Sequence, residues 1–247
     1  MTATVVLVHG AWHGAWCFQK LIPELESRGL TVVAPDLPGH GSDTEPVGGL
    51  DVDVARVREV VRALPGSVLL LGHSYGGVVI TAAAADPAVA GKLSRLVYLA
   101  AIVCPPGVSV FDLPISQTGS KIGPLMIVDD RGMSSIDTSD IAAAKAVFYG
   151  DCSDDDVRFA AERLCPQPAG NMAAVFEGEP LASISATYIR CTEDAAITLA
   201  AQDILINACR PVATDLTTVT MNASHSPFFS QPAQLADIIA SLAQRTS

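Results

Sequence analysis

One serine lies in a pattern that suits nucleophilic catalysis. Residues 72–77 read GHSYGG, so a glycine stands two positions before and two positions after Ser74. This G-x-S-x-G pattern forms a sharp turn between a strand and a helix, and glycines avoid the side-chain collisions that such a turn creates. The turn exposes the serine hydroxyl, which can then attack an electrophilic carbon. We therefore predict that Ser74 is a nucleophile.

A serine nucleophile needs a nearby base that accepts its proton, and histidine most often fills this role. The sequence has five histidines. In proteins with this serine turn, the order along the chain is serine, acid, histidine. His225 lies just past the last predicted strand, within ASHSP, and we predict that it is the base. The other four are expected to have other positions: His9 and His13 in a loop near the N-terminus, His40 within PGHG, and His73 pointing away from the side of the nucleophile.

The base in turn needs a carboxylate that orients its ring. Residues 192–194 read TED and follow the fifth predicted strand, next to the strand that precedes the base. We predict that Asp194 is the acid, and on these grounds its neighbour Glu193 remains the alternative. Asp36 and Asp43 precede the serine, which is too early for this chain order. Asp36 is instead predicted to brace the loop after the second strand.

Residues 9–16, which we call the first loop, read HGAWHGAW and follow the first predicted strand. Small residues allow the backbone to approach a substrate closely. Acyl chemistry needs two N–H groups that converge on the developing oxyanion. In this kind of fold, one comes from the residue after the nucleophile and one from a loop after an early strand. We predict the N–H groups of Ala11 and Tyr75, and Trp12 as a contact for the substrate.

The elements that must position these residues alternate between strand and helix. The predicted strands are continuous apolar runs, which is typical of a parallel sheet that helices cover on both faces. Such sheets bind ligands at the carboxyl ends of their strands. The fold class is therefore predicted to be α/β with a mostly parallel six-stranded sheet. The predicted strands are 5–8, 31–34, 67–71, 95–101, 186–191 and 216–221, and the predicted helices are 17–28, 51–63, 75–85, 198–207 and 231–244.

One long segment interrupts this alternation. Residues 104–184, which we call the cap segment, are rich in Pro, Gly, Ser and Asp, with helical patterns near 139–149 and 154–164. A connection of this length is expected to be an inserted lid subdomain rather than a loop. The predicted core then consists of residues 1–103 and 185–247. Four further aromatic or sulfur-containing residues are candidates for the pocket but fit a core role better: Phe111, Met126, Phe148 and Phe176.

Net charge, the N-terminal sequence and the cysteine spacing bear on which partners, location and metal sites are expected. The chain has 247 residues and a net charge of −11, so phosphate backbones and anionic membrane surfaces are not expected to bind it. No basic leader and no apolar run of bilayer length is present, which predicts a cytoplasmic protein. The six cysteines have irregular spacing, so we expect reduced thiols and no metal site. No cofactor is expected, and a homodimer is an open alternative to a monomer.

Together these motifs resemble the α/β-hydrolase superfamily. More closely, they are similar to the branch of plant methylesterases, hydroxynitrile lyases and related bacterial esterases. The resemblance covers both ends of the chain and is loose in the cap segment. It implies that Asp194 is the acid and that the two N–H donors belong to Ala11 and Tyr75. The matching segments are residues 9–16, 35–41, 72–77, 191–194 and His225.

The resemblance also separates two chemistries. Plant lyases of this branch have a threonine in the first loop and a lysine directly after the histidine, and this lysine helps to hold cyanide. Here Gly10 and Ser226 occupy those positions. The sequence therefore favours a serine carboxylesterase that hydrolyses a small or medium apolar carboxylic ester through an acyl-serine intermediate. A lyase, or a small-molecule binding protein on the same scaffold, is the alternative, and an acyltransferase or a thioesterase would use the same three residues.

Overall fold

The computed structural model describes residues 4–45 and 47–244. The strands in this part of the chain are β1 (Thr4–Val8), β2 (Thr31–Val33), β3 (Val68–His73), β4 (Leu93–Leu99), β5 (Met126–Val128), β6 (Met133–Ile136), β7 (Gln167–Pro168), β8 (Ala186–Cys191) and β9 (Leu216–Met221). Six of them form one sheet in the order β2-β1-β3-β4-β8-β9, and every pairing in this sheet is parallel. The predicted six-stranded parallel sheet is confirmed.

Helices connect these strands. They are α1 (Leu21–Ser27), α2 (Leu50–Ala63), α3 (Gly76–Ala84), α4 (Pro87–Ala90), α5 (Ile141–Phe148), α6 (Asp154–Ala161), α7 (Leu199–Cys209), α8 (Pro227–Ser230) and α9 (Pro232–Gln244). Strand order reverses between β1 and β3, so right-handed crossovers place α1 and α3 on opposite faces of the sheet. Accordingly α1 packs against α9, and α3 packs against α2. Both β1 and β3 are buried along their whole length, which explains their continuous apolar sequences.

The cap segment contains a sheet of its own. Strand β6 pairs antiparallel with β5 on one side and with β7 on the other, and no strand of the main sheet pairs with them in the described residues. Helices α5 and α6 belong to the same segment and pack together. The secondary structure near 139–149 and 154–164 is therefore helical, as the sequence predicts. The division into core and inserted subdomain remains a prediction.

The predicted helix over 17–28 is wrong in its first half. Residues Ala15–Phe18 form a short 3₁₀ helix, and α1 begins only at Leu21. Pro23 explains the break, because proline lacks an N–H and is therefore tolerated in the first turn of an α-helix but not in its interior. Apolar spacing continues across the break, since Phe18, Leu21 and Leu25 are all buried.

Two further observations concern the cysteine side chains and the length and hydropathy of the helices. All six cysteines are free thiols in this structure, and only Cys165 is not fully buried. Among the described residues, no helix combines the length and the apolar character that crossing a bilayer requires.

Candidate active site

Ser74 lies in the turn between β3 and α3 and has a strained backbone. Its φ of 53° is in the left-handed region, which a residue with a side chain rarely adopts. The flanking glycines permit the turn, because a Cβ on Gly72 would lie 2.4 Å from the carbonyl oxygen of Gly76. A Cβ on Gly76 would lie 2.6 Å from the carbonyl oxygen of Val8. Only glycine fits these two positions without a shift of the backbone.

Backbone hydrogen bonds hold this turn to the neighbouring strand. The N–H of Ser74 donates to the carbonyl of Leu99 at 3.2 Å, and the N–H of Ile102 donates to the carbonyl of Ser74 at 3.0 Å. Ser74 keeps 8% of its surface exposed in an otherwise buried neighbourhood. The turn is therefore anchored on both sides, and only a small part of the Ser74 surface is exposed.

His225 and Asp194 follow the adjacent strands β9 and β8, and they meet at the carboxyl edge of the sheet. The distance from His225 Nδ1 to Asp194 Oδ2 is 2.7 Å. The other carboxylate oxygen, Oδ1, accepts the N–H groups of Ala196 and Ile197, each at 2.8 Å. Because a carboxylate can only accept, Nδ1 carries the proton and Nε2 is left with a lone pair. The side chain of Glu193, the alternative acid, is exposed and lies outside this pair.

The first loop lies directly beside the serine. A Cβ on Gly10 would lie 2.8 Å from the Cβ of Ser74, so the two backbones are in close contact. Within the part of the chain that the structure describes, the N–H groups of Ala11 and Tyr75 have no hydrogen-bond acceptor. Free N–H groups next to a serine are what a developing oxyanion requires. The predicted donors are therefore available, and Tyr75 is at the N-terminal end of α3.

His73 makes a contact with His225 that the sequence does not reveal. Its ring packs against that of His225 with 4.6 Å between ring centroids, while its predicted orientation away from the side of Ser74 stays a prediction. His73 Nε2 lies 2.9 Å from the carbonyl oxygen of His225, so it donates a hydrogen bond there. The sequence around His73 gives no signal for this contact, because the contact depends on where the loop after β9 lies.

All five histidines of the chain are buried around the serine and the first loop. Burial lowers the pKa of His9 to about 3 and that of His13 to about 4. Burial likewise lowers the pKa of His40 and, much further, that of His73. These four rings are therefore neutral at physiological pH, and each has one donor and one acceptor nitrogen.

A buried carboxyl lies next to the side chain of Tyr75. The hydroxyl of Tyr75 donates to Asp53 Oδ2 at 2.7 Å, and both residues are buried. Burial raises the pKa of Asp53 to about 6, despite the opposing effect of this hydrogen bond. Sequence patterns give no sign of it, because Asp53 lies in an amphipathic helix whose polar residues are expected to face solvent.

A cavity of about 350 Å³ lies near the site. Its wall includes Ile102, whose N–H donates to the carbonyl of Ser74, whereas Ser74 and His225 are not among the residues that line it. The cap segment forms much of the wall. Of the five candidate pocket residues, Trp12, Phe111 and Met126 line this cavity, whereas Phe148 and Phe176 do not. Its wall is mainly apolar and consists of Trp12, Ile102, Val110, Phe111, Ile115, Ser116, Thr118, Ser120, Ile122, Gly123, Met126, Ser134, Ala169, Met172, Ala196, Ile197, Ala201 and Leu205.

Across residues 4–45 and 47–244, no group of three or more His, Cys, Asp or Glu side chains is placed to hold a metal ion. A serine in a strained turn, a histidine bonded to a carboxylate and free N–H groups lie at one sheet edge, which is the set of groups that acyl transfer requires.

Comparisons with known proteins agree with this fold. A model of the Alpha/beta hydrolase family matches residues 5–238. A pyrethroid hydrolase from Sphingobium wenxiniae is 32% identical over 257 residues, which cover 98% of this chain and 89% of that protein. A chloroplastic protein from Arabidopsis thaliana that carries methylesterase 11 in its name is 30% identical over 255 residues, covering 97% of this chain and 63% of that protein.

A solved structure confirms the predicted fold class. The crystal structure of a pyrethroid hydrolase from Sphingobium faniae superimposes with a TM-score of 0.85 at 29% identity and covers 99% of this chain and 98% of that one. The predicted resemblance to the branch with methylesterases and bacterial esterases is likewise confirmed by the relatives found.

Proposed function

The chain belongs to the alpha/beta hydrolase family, and from this premise we propose that it is a serine carboxylesterase. One observation carries the proposal. His225 is bonded through Nδ1 to Asp194 at 2.7 Å, at the same sheet edge as a serine with a left-handed backbone. Relatives named as a hydrolase and a methylesterase support the ester-hydrolysing part of the proposal.

In the proposed reaction, Nε2 of His225 accepts the hydroxyl proton of Ser74 while Oγ attacks the ester carbonyl carbon. Asp194 holds the ring in the tautomer that leaves Nε2 free. The N–H groups of Ala11 and Tyr75 stabilise the oxyanion of the tetrahedral intermediate. The carbon–oxygen bond to the alcohol then breaks, and His225 protonates the departing alcohol.

The second half of the reaction regenerates the enzyme. The acyl group remains on Ser74 as an ester, and a water molecule attacks its carbonyl carbon while Nε2 of His225 accepts a proton from the water. The bond to Oγ breaks, the acid leaves, and Ser74 recovers its proton from His225. No cofactor is needed for either half.

The cavity indicates the class of ester. Its wall is largely aliphatic and aromatic, with serine and threonine hydroxyls, and no charged side chain is among the described residues that line it. A neutral ester with an apolar body of small to medium size fits this chemistry. The proposal includes a cytoplasmic enzyme whose partner is this small molecule.

A lyase is less well supported. Ser226 follows His225 here, so no cation from that position can hold a cyanide leaving group. The side chain of Ser226 is buried, and its backbone carbonyl accepts from the thiol of Cys152. This position therefore offers packing and no charge.

The proposal can be tested with a fluorophosphonate probe, in which an activated serine displaces fluoride and forms a stable bond to phosphorus. We expect the purified protein to gain one adduct on Ser74 and to hydrolyse p-nitrophenyl butyrate and octanoate. Ser74→Ala should lose the adduct and at least about a thousandfold in kcat/KM, with an unchanged thermal melt. A folded wild-type protein with no adduct and no turnover would contradict the proposal, and cleavage of mandelonitrile by such a protein would favour a lyase.

A further inference from the structure

The ring of His13 connects the first loop to the cap segment. His13 Nδ1 lies 2.7 Å from the carbonyl oxygen of Ala11, and its Nε2 lies 2.8 Å from the hydroxyl oxygen of Tyr149. Both His13 and Tyr149 are buried. The ring therefore links the residue that supplies one free N–H to a tyrosine at the end of α5.

Chemistry assigns the direction of both hydrogen bonds. A carbonyl oxygen can only accept, so Nδ1 of His13 must carry the proton. Burial lowers the pKa of His13 to about 4, so the ring is neutral and Nε2 has no proton. The hydroxyl of Tyr149 must therefore donate to Nε2. This donation keeps the ring in the tautomer that can bond to Ala11.

A second histidine holds the other side of the same residue. His9 Nε2 accepts the N–H of Leu37 at 3.0 Å, so Nδ1 carries the proton and donates to the carbonyl of Gly10 at 2.9 Å. That carbonyl shares a peptide plane with the N–H of Ala11, and the two groups point in opposite directions across the plane. His9 and His13 thus fix the two peptide planes on either side of Ala11.

The cap segment also supports the next residue of the loop. Trp12 has a φ of 62°, a left-handed conformation that a tryptophan adopts only when its surroundings hold it. Its carbonyl accepts the N–H of Cys165 at 2.9 Å. Its indole Nε1 donates to the carbonyl and the hydroxyl of Ser134, each at 3.2 Å. With Tyr149, three separate parts of the cap segment bond to two consecutive residues of the first loop.

We infer that Tyr149 and His13 are positioning residues through which the cap segment holds the N–H of Ala11 in place for the oxyanion. The inference rests on the proposed esterase function and deepens it. In this arrangement the cap segment does more than enclose the substrate, because part of the oxyanion site depends on it. Neither Tyr149 nor His13 lines the cavity. Loss of the hydrogen bond between them should therefore lower turnover rather than weaken substrate binding.

The first test is Tyr149→Phe, which removes only the hydroxyl. We expect kcat for p-nitrophenyl butyrate to fall about tenfold with KM changed less than about twofold, because a small displacement of an oxyanion donor weakens transition-state binding selectively. Tyr98→Phe is the matched control, since Tyr98 is also buried and its hydroxyl forms a hydrogen bond with Thr81 at 2.9 Å, away from the first loop. Tyr98→Phe should keep the wild-type kcat even where its melting temperature falls.

A second readout separates positioning from general destabilisation. A trifluoromethyl ketone adds to the serine and forms a hemiketal oxyanion, so its affinity reports on the N–H donors. We expect its Ki to rise about tenfold in Tyr149→Phe and to stay unchanged in Tyr98→Phe. A Tyr149→Phe protein with the wild-type kcat and Ki would overturn the inference.

Variants of His13 keep the test valid if Tyr149→Phe does not fold. The side-chain amide of His13→Asn can replace the Nδ1 donor toward Ala11, whereas His13→Ala cannot. We expect His13→Asn to retain kcat within about fivefold and His13→Ala to lose about a hundredfold. Equal kcat in both would overturn the inference. A wild-type protein that shows no turnover dependent on Ser74 would instead overturn the proposed function.

Discussion

Asp194 and His225 stand at the ends of two neighbouring parallel strands and share a 2.7 Å hydrogen bond. The strands β8 and β9 remain in register up to Cys191 and Met221, and each residue follows its strand within four positions. Asp194 is held further by two backbone N–H groups, which fix the second oxygen of its carboxylate. The sheet register therefore places the two loops side by side, and the N–H groups of Ala196 and Ile197 hold the carboxylate of Asp194 in this position.

Replacing this carboxylate should separate the two candidate acids. Asp194→Asn removes the charge and offers an amide that can donate to Nδ1, which favours the wrong tautomer of His225. We expect kcat/KM to fall by about a thousandfold or more. Glu193→Gln is the control, because the side chain of Glu193 is exposed, and it should change kcat/KM less than about twofold. A larger effect of Glu193→Gln than of Asp194→Asn would show that the assignment of the acid is wrong.

The stability of the fold should depend on Gly76, two residues after the serine. Gly76→Ala places a Cβ 2.6 Å from the carbonyl oxygen of Val8 and 2.7 Å from that of His9. Backbone atoms inside a sheet cannot move away easily, so we expect the free energy of unfolding to fall by about 2–3 kcal/mol. Urea denaturation measures this change.

Gly170→Ala is the matched control for that substitution. Gly170 is exposed, and a Cβ there would meet no atom within 4 Å. We expect its free energy of unfolding to stay within about 0.5 kcal/mol of the wild-type value. Equal destabilisation by both alanines would mean that the close approach at Gly76 is not the cause.

Sequence patterns predict the features that depend on local order. Strands β1 and β3 are continuous apolar runs, and the glycines at 72 and 76 reflect a turn that excludes side chains. Parallel pairing then places the strand ends at one edge of the sheet, which is why Asp194 and His225, after the adjacent strands β8 and β9, could be predicted to meet. Individual boundaries are less predictable, as the 3₁₀ helix before α1 shows.

Contacts made across the cap segment cannot be read from the sequence. Tyr149 and His13 are 136 residues apart, and no periodic pattern connects them. The same holds for His73, whose contact with the loop of His225 spans 152 residues. Such pairs depend on how loops that are distant along the chain pack together, which sequence spacing does not encode.

The buried Asp53 should make stability depend on pH. Its pKa rises from 3.8 to about 6 on folding, so the folded state binds this proton more tightly than the unfolded state does. Stability from this group is greatest at low pH and falls as the pH rises from about 4 through about 6. At pH 8 the ionised carboxylate costs the fold about 3 kcal/mol at most.

Asp53→Asn removes this cost while it keeps an acceptor for the hydroxyl of Tyr75. We expect the variant to be more stable than the wild type at pH 8 and to lose this advantage at pH 4.5, as measured by urea denaturation. Asp130→Asn is the control, because Asp130 is exposed and the substitution makes the same change of charge, so its free energy of unfolding at pH 8 should stay within about 0.5 kcal/mol of the wild-type value. An advantage of Asp53→Asn that is equal at both pH values would contradict the assignment.

The hydrogen bond from His73 to the carbonyl of His225 should matter for turnover. Burial lowers the pKa of His73, so its ring is neutral. Its Nε2 donates to the backbone carbonyl oxygen of His225 at 2.9 Å. His73→Leu leaves that buried carbonyl without its donor, so we expect kcat to fall about tenfold as the base loses its fixed position. His73→Gln carries an amide donor of similar reach and should restore kcat to within about threefold of the wild type. Stopped-flow and steady-state hydrolysis of p-nitrophenyl butyrate, with thermal melts of each protein, measure both effects. If leucine and glutamine give the same kcat at equal melting temperature, the ring contributes packing alone and the hydrogen bond does not position the base.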